Sequence, residues 1–136
     1  MIRALVAGMH RSGTSAVMRA IAALGVDLGR ADQLMAASDS NPYGHFELTP
    51  IVALNDELLA SVGSHWIAPA HTTDQLAALA TLQAKADVAS LFGDLELSDA
   101  SIIKDPRFSL TLPFWRAAGL DEIPIVLPFR LSLIHI

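Results

Sequence analysis

The segment that most narrows the folds open to this chain is Val6-Ala7-Gly8-Met9-His10-Arg11-Ser12-Gly13-Thr14-Ser15, near the N-terminus. An apolar run over residues 2–7 leads into it, long enough for one buried strand, and residues 16–24 after it have the pattern of a helix. A strand, a glycine-bounded loop and a helix in that order build an anion site. Gly8 and Gly13 permit backbone angles and close approaches that a Cβ forbids, so successive N–H groups can turn inward on a phosphate or sulfate. The first turn of the helix adds unsatisfied N–H donors and the positive end of its dipole. Arg11 contributes a permanently charged fork that matches two oxygens of a phosphoryl or sulfuryl group, and Ser12, Thr14 and Ser15 supply hydroxyls. The glycine spacing alone is also that of a plain turn. Strand, cation, hydroxyls and helix together select the anion site.

The rest of the chain is consistent with one α/β domain. Its 136 residues are 52% hydrophobic, enough for a single sizeable core. A net charge of −5 argues against a nucleic-acid partner, so any cationic site must be local. There is no cysteine, which excludes disulfides and thiolate metal sites. No window is apolar enough for a membrane span, and a cytoplasmic protein is expected.

Val17, Ile21 and Leu24 form the expected buried stripe of the first helix, ended by Gly25. Residues 26–47 read as a long loop carrying Gly29, Asn41-Pro42 and Gly44. Thr49 and Pro50 are expected to cap a second helix with Ile51, Leu54, Leu58, Leu59 and Val62 inward, closed by Gly63. Residues 72–92 are expected to form the longest helix, with Thr72 and Gln75 as a capping box and Leu76, Leu79, Leu82, Ala86 and Leu91 as its stripe. Residues 101–104 read as a second strand, with Asp105 and Pro106 opening a helix that Pro113 divides. Residues 123–127 read as a third strand, Pro124 near its start. Apolar strands separated by helices indicate a parallel sheet covered on both faces, with ligands at the carboxyl ends of its strands. That places Arg11, Asp105, Arg107 and Arg130 at one edge.

The two glycines followed by Thr14-Ser15 follow the P-loop template, with Thr14 where nucleotidases carry lysine. Gly8 to Ser15 resembles the 5′-phosphosulfate loop of sulfotransferases that use 3′-phosphoadenosine-5′-phosphosulfate (PAPS), above all the bacterial sulfotransferase-like branch. Asn41-Pro42-Tyr43-Gly44-His45-Phe46-Glu47 and Ile103-Lys104-Asp105-Pro106-Arg107 resemble two later blocks of that branch. The resemblance implies a P-loop-type three-layer sandwich with a parallel sheet, of which residues 1–130 are the N-terminal portion. It implies PAPS as donor, with adenosine 3′,5′-bisphosphate as product, and a small-molecule or glycan acceptor. Arg11 matches the cation on the phosphosulfate, Ser12, Gly13, Thr14 and Ser15 the phosphate-binding turn, and Arg130 the arginine on the 3′-phosphate. The serine that the family places on the following helix is missing. Residues 131–136 do not continue that helix and are read as a non-native tail, the domain being cut short.

Transfer of a sulfuryl group to a hydroxyl or amine needs positioning, charge neutralisation and a base. Arg11 serves as an electrostatic clamp, since a guanidinium does not deprotonate. His45 and Glu47 are the candidate bases, and Asp105 the third. Asp105 and Arg107 are placed toward substrate or behind the site. His10, inside the turn, is placed to contact the anion or to pack. Trp66 and Trp115 are read as loop or core anchors. His65 and His71 lack metal-ligand spacing, and no metal is expected. An alternative is an ATP-dependent kinase or nucleotidase, with Ser15 on magnesium and Asp105 as the second acid. Thr14 in the lysine position and Lys104 within the apolar run oppose it. A third reading is a non-catalytic anion-binding domain.

Overall fold

In the computed structural model, which describes residues 2–9, 11–69, 71–82 and 85–130, the N-terminal apolar run becomes the central strand β1 (Ala4–Val6). Side chains of residues 85–87 are outside that description. So are His10, the Ala86 stripe position and the 131–136 tail. β1 pairs in parallel with β2 (Ile102–Lys104) on one side and β3 (Ile125–Val126) on the other, in the order β2-β1-β3. Val6 stands opposite Lys104 and Val126. The three carboxyl ends are therefore level, and the loops leaving them meet. Pro124 precedes β3 and gives only its carbonyl, accepting from Leu5 N at 3.0 Å, the one role in a ladder open to a residue without an N–H.

Five α-helices surround the sheet among the described residues: α1 (Thr14–Ala23), α2 (Thr49–Ser61), α3 (Thr73–Ala78), α4 (Lys85–Asp94) and α5 (Phe108–Trp115). The fold is mixed α/β with a small parallel sheet. Its core centres on Trp115, which meets Phe108 and Phe114 edge-on at 5.3 and 5.5 Å and stacks with Phe92 at 6.1 Å. Trp115 is thus the core anchor its composition suggested.

Several local expectations are corrected. The stripe on α1 is turned: Met18 and Thr14 are buried, Val17 and Ile21 only half so, and Leu24 is 82% exposed. The 72–92 helix is two. The capping box at Thr72 and Gln75 forms, but α3 tightens into a 3-10 turn at Leu79–Thr81 and Leu82 leaves in an extended conformation before α4. Leu79 is the buried pivot, so burying it at a bend replaces a continuous stripe. Leu48, not Thr49, is the N-cap of α2, with Pro50 in its first turn. Asp105 does not cap at Pro106; its Oδ1 accepts from Arg107 N at 2.9 Å and α5 begins at Phe108. Pro113 does not divide α5, since proline removes one hydrogen bond while Phe114 and Trp115 are fully buried beside it. The path breaks instead at Gly119, where φ is 109°. β3 is only half-buried, so the sheet is not covered on both faces along that edge.

Candidate functional site

The glycine-bounded loop leaves β1 and closes on the start of α1. Gly8 (φ 137°) could not carry a side chain: a Cβ there would lie 3.1 Å from Ser12 Oγ and 3.3 Å from Thr14 Cγ2. Its N–H donates to Ser109 Oγ at 2.9 Å, which ties the loop to α5. Arg11 adopts the left-handed region (φ 63°), as does Gly13 (φ 98°), the N-cap of α1. A non-glycine residue held there stores about 1–2 kcal/mol, a cost typical of functional loops. Among the described residues no side chain caps α1, and the space a Cβ would occupy at Gly13 has no atom within 4 Å. Ser12 Oγ is buried with no hydrogen-bond partner among the described residues. Uncapped amides, open space over a left-handed glycine and an orphaned hydroxyl are what an anion would satisfy.

A cleft of about 480 Å³ opens over this turn. Of the residues selected from the sequence, Arg11, Gly13, Thr14, Ser15, His45, Glu47, Arg107 and Arg130 line it. Gly8, Ser12 and Asp105 do not. Gly8 and Ser12 shape the turn from beneath, and Asp105 lies wholly inside the protein. Among the described residues four cations line the cleft, Arg11, Lys104, Arg107 and Arg130, against the single carboxylate of Glu47. A locally positive site therefore sits in a chain of net charge −5.

Lys104 is the cleft residue to which the sequence reading gave no role. At the end of β2, with 2% of its side chain exposed, its Nζ donates to Glu47 Oε1 at 2.6 Å, His45 O at 2.9 Å and Ser15 Oγ at 3.2 Å. It thus ties the 34–48 loop to the first turn of α1. The signal was a lysine as last residue of an apolar strand, which had counted only as an interruption. Phe46, between His45 and Glu47, is itself left-handed (φ 57°), so a strained backbone aims both partners at Lys104. Asn41 Nδ2 donates to Ser15 Oγ at 2.9 Å from the same loop. His45 Nε2 shares a 2.8 Å hydrogen bond with Ser38 Oγ.

Behind the cleft runs a polar chain, buried except at its exposed end, Asp56. Arg107 reaches Asp56 Oδ1 at 2.7 Å and Asp105 Oδ1 at 3.0 Å, faces Glu47 Oε2 at 3.6 Å, and stacks over Trp66 with 4.6 Å from guanidinium carbon to ring centroid. Trp66, read as a loop anchor, also lines the cleft. Asn55 Nδ2 donates to Asp105 Oδ2 at 2.8 Å, while its Oδ1 accepts from Thr111 Oγ1 at 2.7 Å and Trp115 Nε1 at 2.8 Å. Burial pushes the Asp105 carboxyl above the usual aspartate range, against the pull of Arg107 and Asn55. Burial also opposes the Arg107 charge, but Asp105 and Asp56 outweigh it and hold the guanidinium firmly protonated. Asn55 carried no sequence signal, being a polar residue within an otherwise helical stripe. His65 Nδ1 accepts from Ile67 N at 3.2 Å and His71 Nδ1 meets Ser64 Oγ at 3.4 Å, both local loop contacts.

This arrangement can grip a multiply charged anion at the amino end of α1, with cations supplied from three strand ends. No helix among the described residues is long and apolar enough to cross a membrane. No protein-family model, curated protein or solved structure matches the chain.

Proposed function

We propose that this chain is the donor-binding portion of a sulfotransferase-like P-loop enzyme, with the three-stranded sheet as part of a three-layer sandwich. The observation that carries the reading is the gathering of Arg11, Lys104 and Arg130 from three adjacent strand ends around an uncapped helix start. PAPS presents a 5′-phosphosulfate to the turn of residues 8–15 and a 3′-phosphate to Arg130. Attack by an acceptor oxygen forms a new bond to sulfur, while the bond to the bridging oxygen of the 5′-phosphate breaks and its electron pair leaves with adenosine 3′,5′-bisphosphate. Arg11 and Lys104 neutralise charge on the sulfuryl and leaving oxygens. Lys104 does so by exchanging its Ser15 or His45 contact for a ligand oxygen. The acceptor proton passes to His45, whose Nδ1 has no hydrogen-bond partner among the described residues. Glu47, committed to two cations, orients Lys104.

The kinase alternative needs Asp105 at the metal. Its two oxygens are instead taken by Asn55 and Arg107 inside the protein, which favours the sulfuryl reading. The test is a thermal-shift titration with adenosine 3′,5′-bisphosphate, and with ATP with and without magnesium, on the chain and on Arg11→Ala. A ligand at a hundred times its dissociation constant adds about 2.7 kcal/mol of stability. Magnesium-independent stabilisation by the bisphosphate, lost in Arg11→Ala, is expected. Stabilisation by magnesium-ATP alone would overturn the assignment.

A further inference from the structure

A second pocket of about 550 Å³ adjoins the anion cleft along the outer face of α1. The two share Ser15, Ala16 and Asn41 as a common wall, and the Asn41–Ser15 hydrogen bond of 2.9 Å forms the ridge between them. Its floor is made of small side chains, Ala16, Ala20 and Ala23, which leave the helix backbone open to a flat body. Tyr43, 68% exposed, stands over that floor from the 34–48 loop.

The charge in this pocket has one sign. Among the described residues Arg19 is its only cation and no carboxylate lines it. The Arg19 guanidinium rests over the Tyr43 ring at 4.1 Å and makes no ion pair among the described residues. Its charge is therefore available to an incoming anion. The same stacking removes a seat for a cation, because that face of Tyr43 already carries a guanidinium. In the adjoining cleft the carboxylate of Glu47 is already met by Lys104 and Arg107. An ammonium group would find no unpaired carboxylate in either space. The charge of the donor is met by Arg11, Lys104 and Arg130, which leaves Arg19 for the other ligand.

Resting on the sulfotransferase reading, we propose that the pocket over α1 is the acceptor subsite and takes a flat hydroxy acid, a ring with a hydroxyl at one end and an anionic group at the other. Ser15 and Arg19 are four residues apart on one helix face, about 6 Å along the axis. That backbone spacing is about the length of a single para-substituted six-membered ring. With the anionic group on Arg19, the hydroxyl lies at the Ser15 ridge, facing the sulfuryl position.

Three para-substituted phenols test this: 4-hydroxybenzoate, 4-hydroxybenzyl alcohol and tyramine, carrying charges of −1, 0 and +1. Each is titrated by ligand-observed NMR against the full chain saturated with adenosine 3′,5′-bisphosphate. The expected order of affinity is benzoate, alcohol, amine. Arg19→Gln, a substitution at an exposed position, should weaken the benzoate about three- to tenfold and leave the alcohol and the bisphosphate unchanged. Ala20→Phe, which fills the floor, should abolish binding of all three while keeping the bisphosphate. Equal or stronger binding of tyramine, no binding of any probe, or a benzoate preference that survives Arg19→Gln would overturn the acceptor assignment. Displacement of the bisphosphate by the probes would show the pocket to be part of the donor site and overturn it as well. If the bisphosphate itself does not bind, the sulfotransferase reading fails and the acceptor subsite falls with it.

Discussion

Replacing Lys104 by methionine tests whether the cleft is held together by its buried ion pair. The substitution keeps the length of the apolar stem and deletes one ammonium that makes three contacts, at 2.6, 2.9 and 3.2 Å. It leaves Glu47, with 8% of its side chain exposed, facing only Arg107 at 3.6 Å. Removing one partner of a buried pair costs about 3–5 kcal/mol, because the survivor keeps its desolvation penalty. The remaining Arg107 contact puts Lys104→Met near the lower end, at about 3 kcal/mol. With 136 residues and about 2.1 cal/mol/K of melting entropy per residue, that corresponds to a fall in Tm of about 10 °C. Adding Glu47→Gln removes the orphaned charge, so the double variant should recover about 2 kcal/mol relative to the sum of the singles. Urea denaturation at neutral pH of the four proteins gives the cycle. Single losses below about 1 kcal/mol that simply add would refute the argument, since they would mean that the lysine and glutamate are solvated independently.

Asn55→Ala removes the shared partner of Asp105, Thr111 and Trp115 and should cost about 2–4 kcal/mol in urea denaturation, with a change in the fluorescence of the buried indole. Gly13→Ala adds a methyl into open cleft at φ 98°, so stability in urea denaturation should fall by about 1–2 kcal/mol, and on the proposed sulfotransferase reading affinity for adenosine 3′,5′-bisphosphate in a titration should fall as well. Gly8→Ala meets Ser12 Oγ at 3.1 Å as well as an unfavourable φ, and should lose more stability in the same urea assay. Hydrogen bonds from Ser101, the Gly29 amide and Ser98 hold Asp27 below the usual aspartate range, against its partial burial. A carboxyl lowered on folding contributes stability above its unfolded pKa that is lost as pH falls through the folded value. Asp27→Asn should therefore flatten the acid limb of Tm plotted against pH below about pH 4, and an unchanged limb would remove Asp27 from that account.

The turn of residues 8–15 was legible because its requirements are local. Only glycine carries the backbone at Gly8 and Gly13 without strain, and Arg11 and the hydroxyls follow in the same short segment. Runs of apolar residues likewise marked the three strands, most plainly the fully buried β1, although β3 at the edge is only half-buried. Helix limits were less legible. Burial of Leu79 at a bend and of Phe114 and Trp115 beside Pro113 overrode local propensity in opposite directions. Asn55 and Lys104 were the residues whose meaning only the tertiary structure decided. An asparagine in a helix and a lysine in a strand are locally unfavourable, and each is retained by partners more than 45 residues distant in sequence: Asp105, Thr111 and Trp115 for the first, Glu47, His45 and Ser15 for the second. The sequence by itself determined the turn and the strands because backbone angles and apolar runs are properties of neighbours along the chain. The polar network was decided in three dimensions because a buried charge is stable only beside the groups that the fold brings to it.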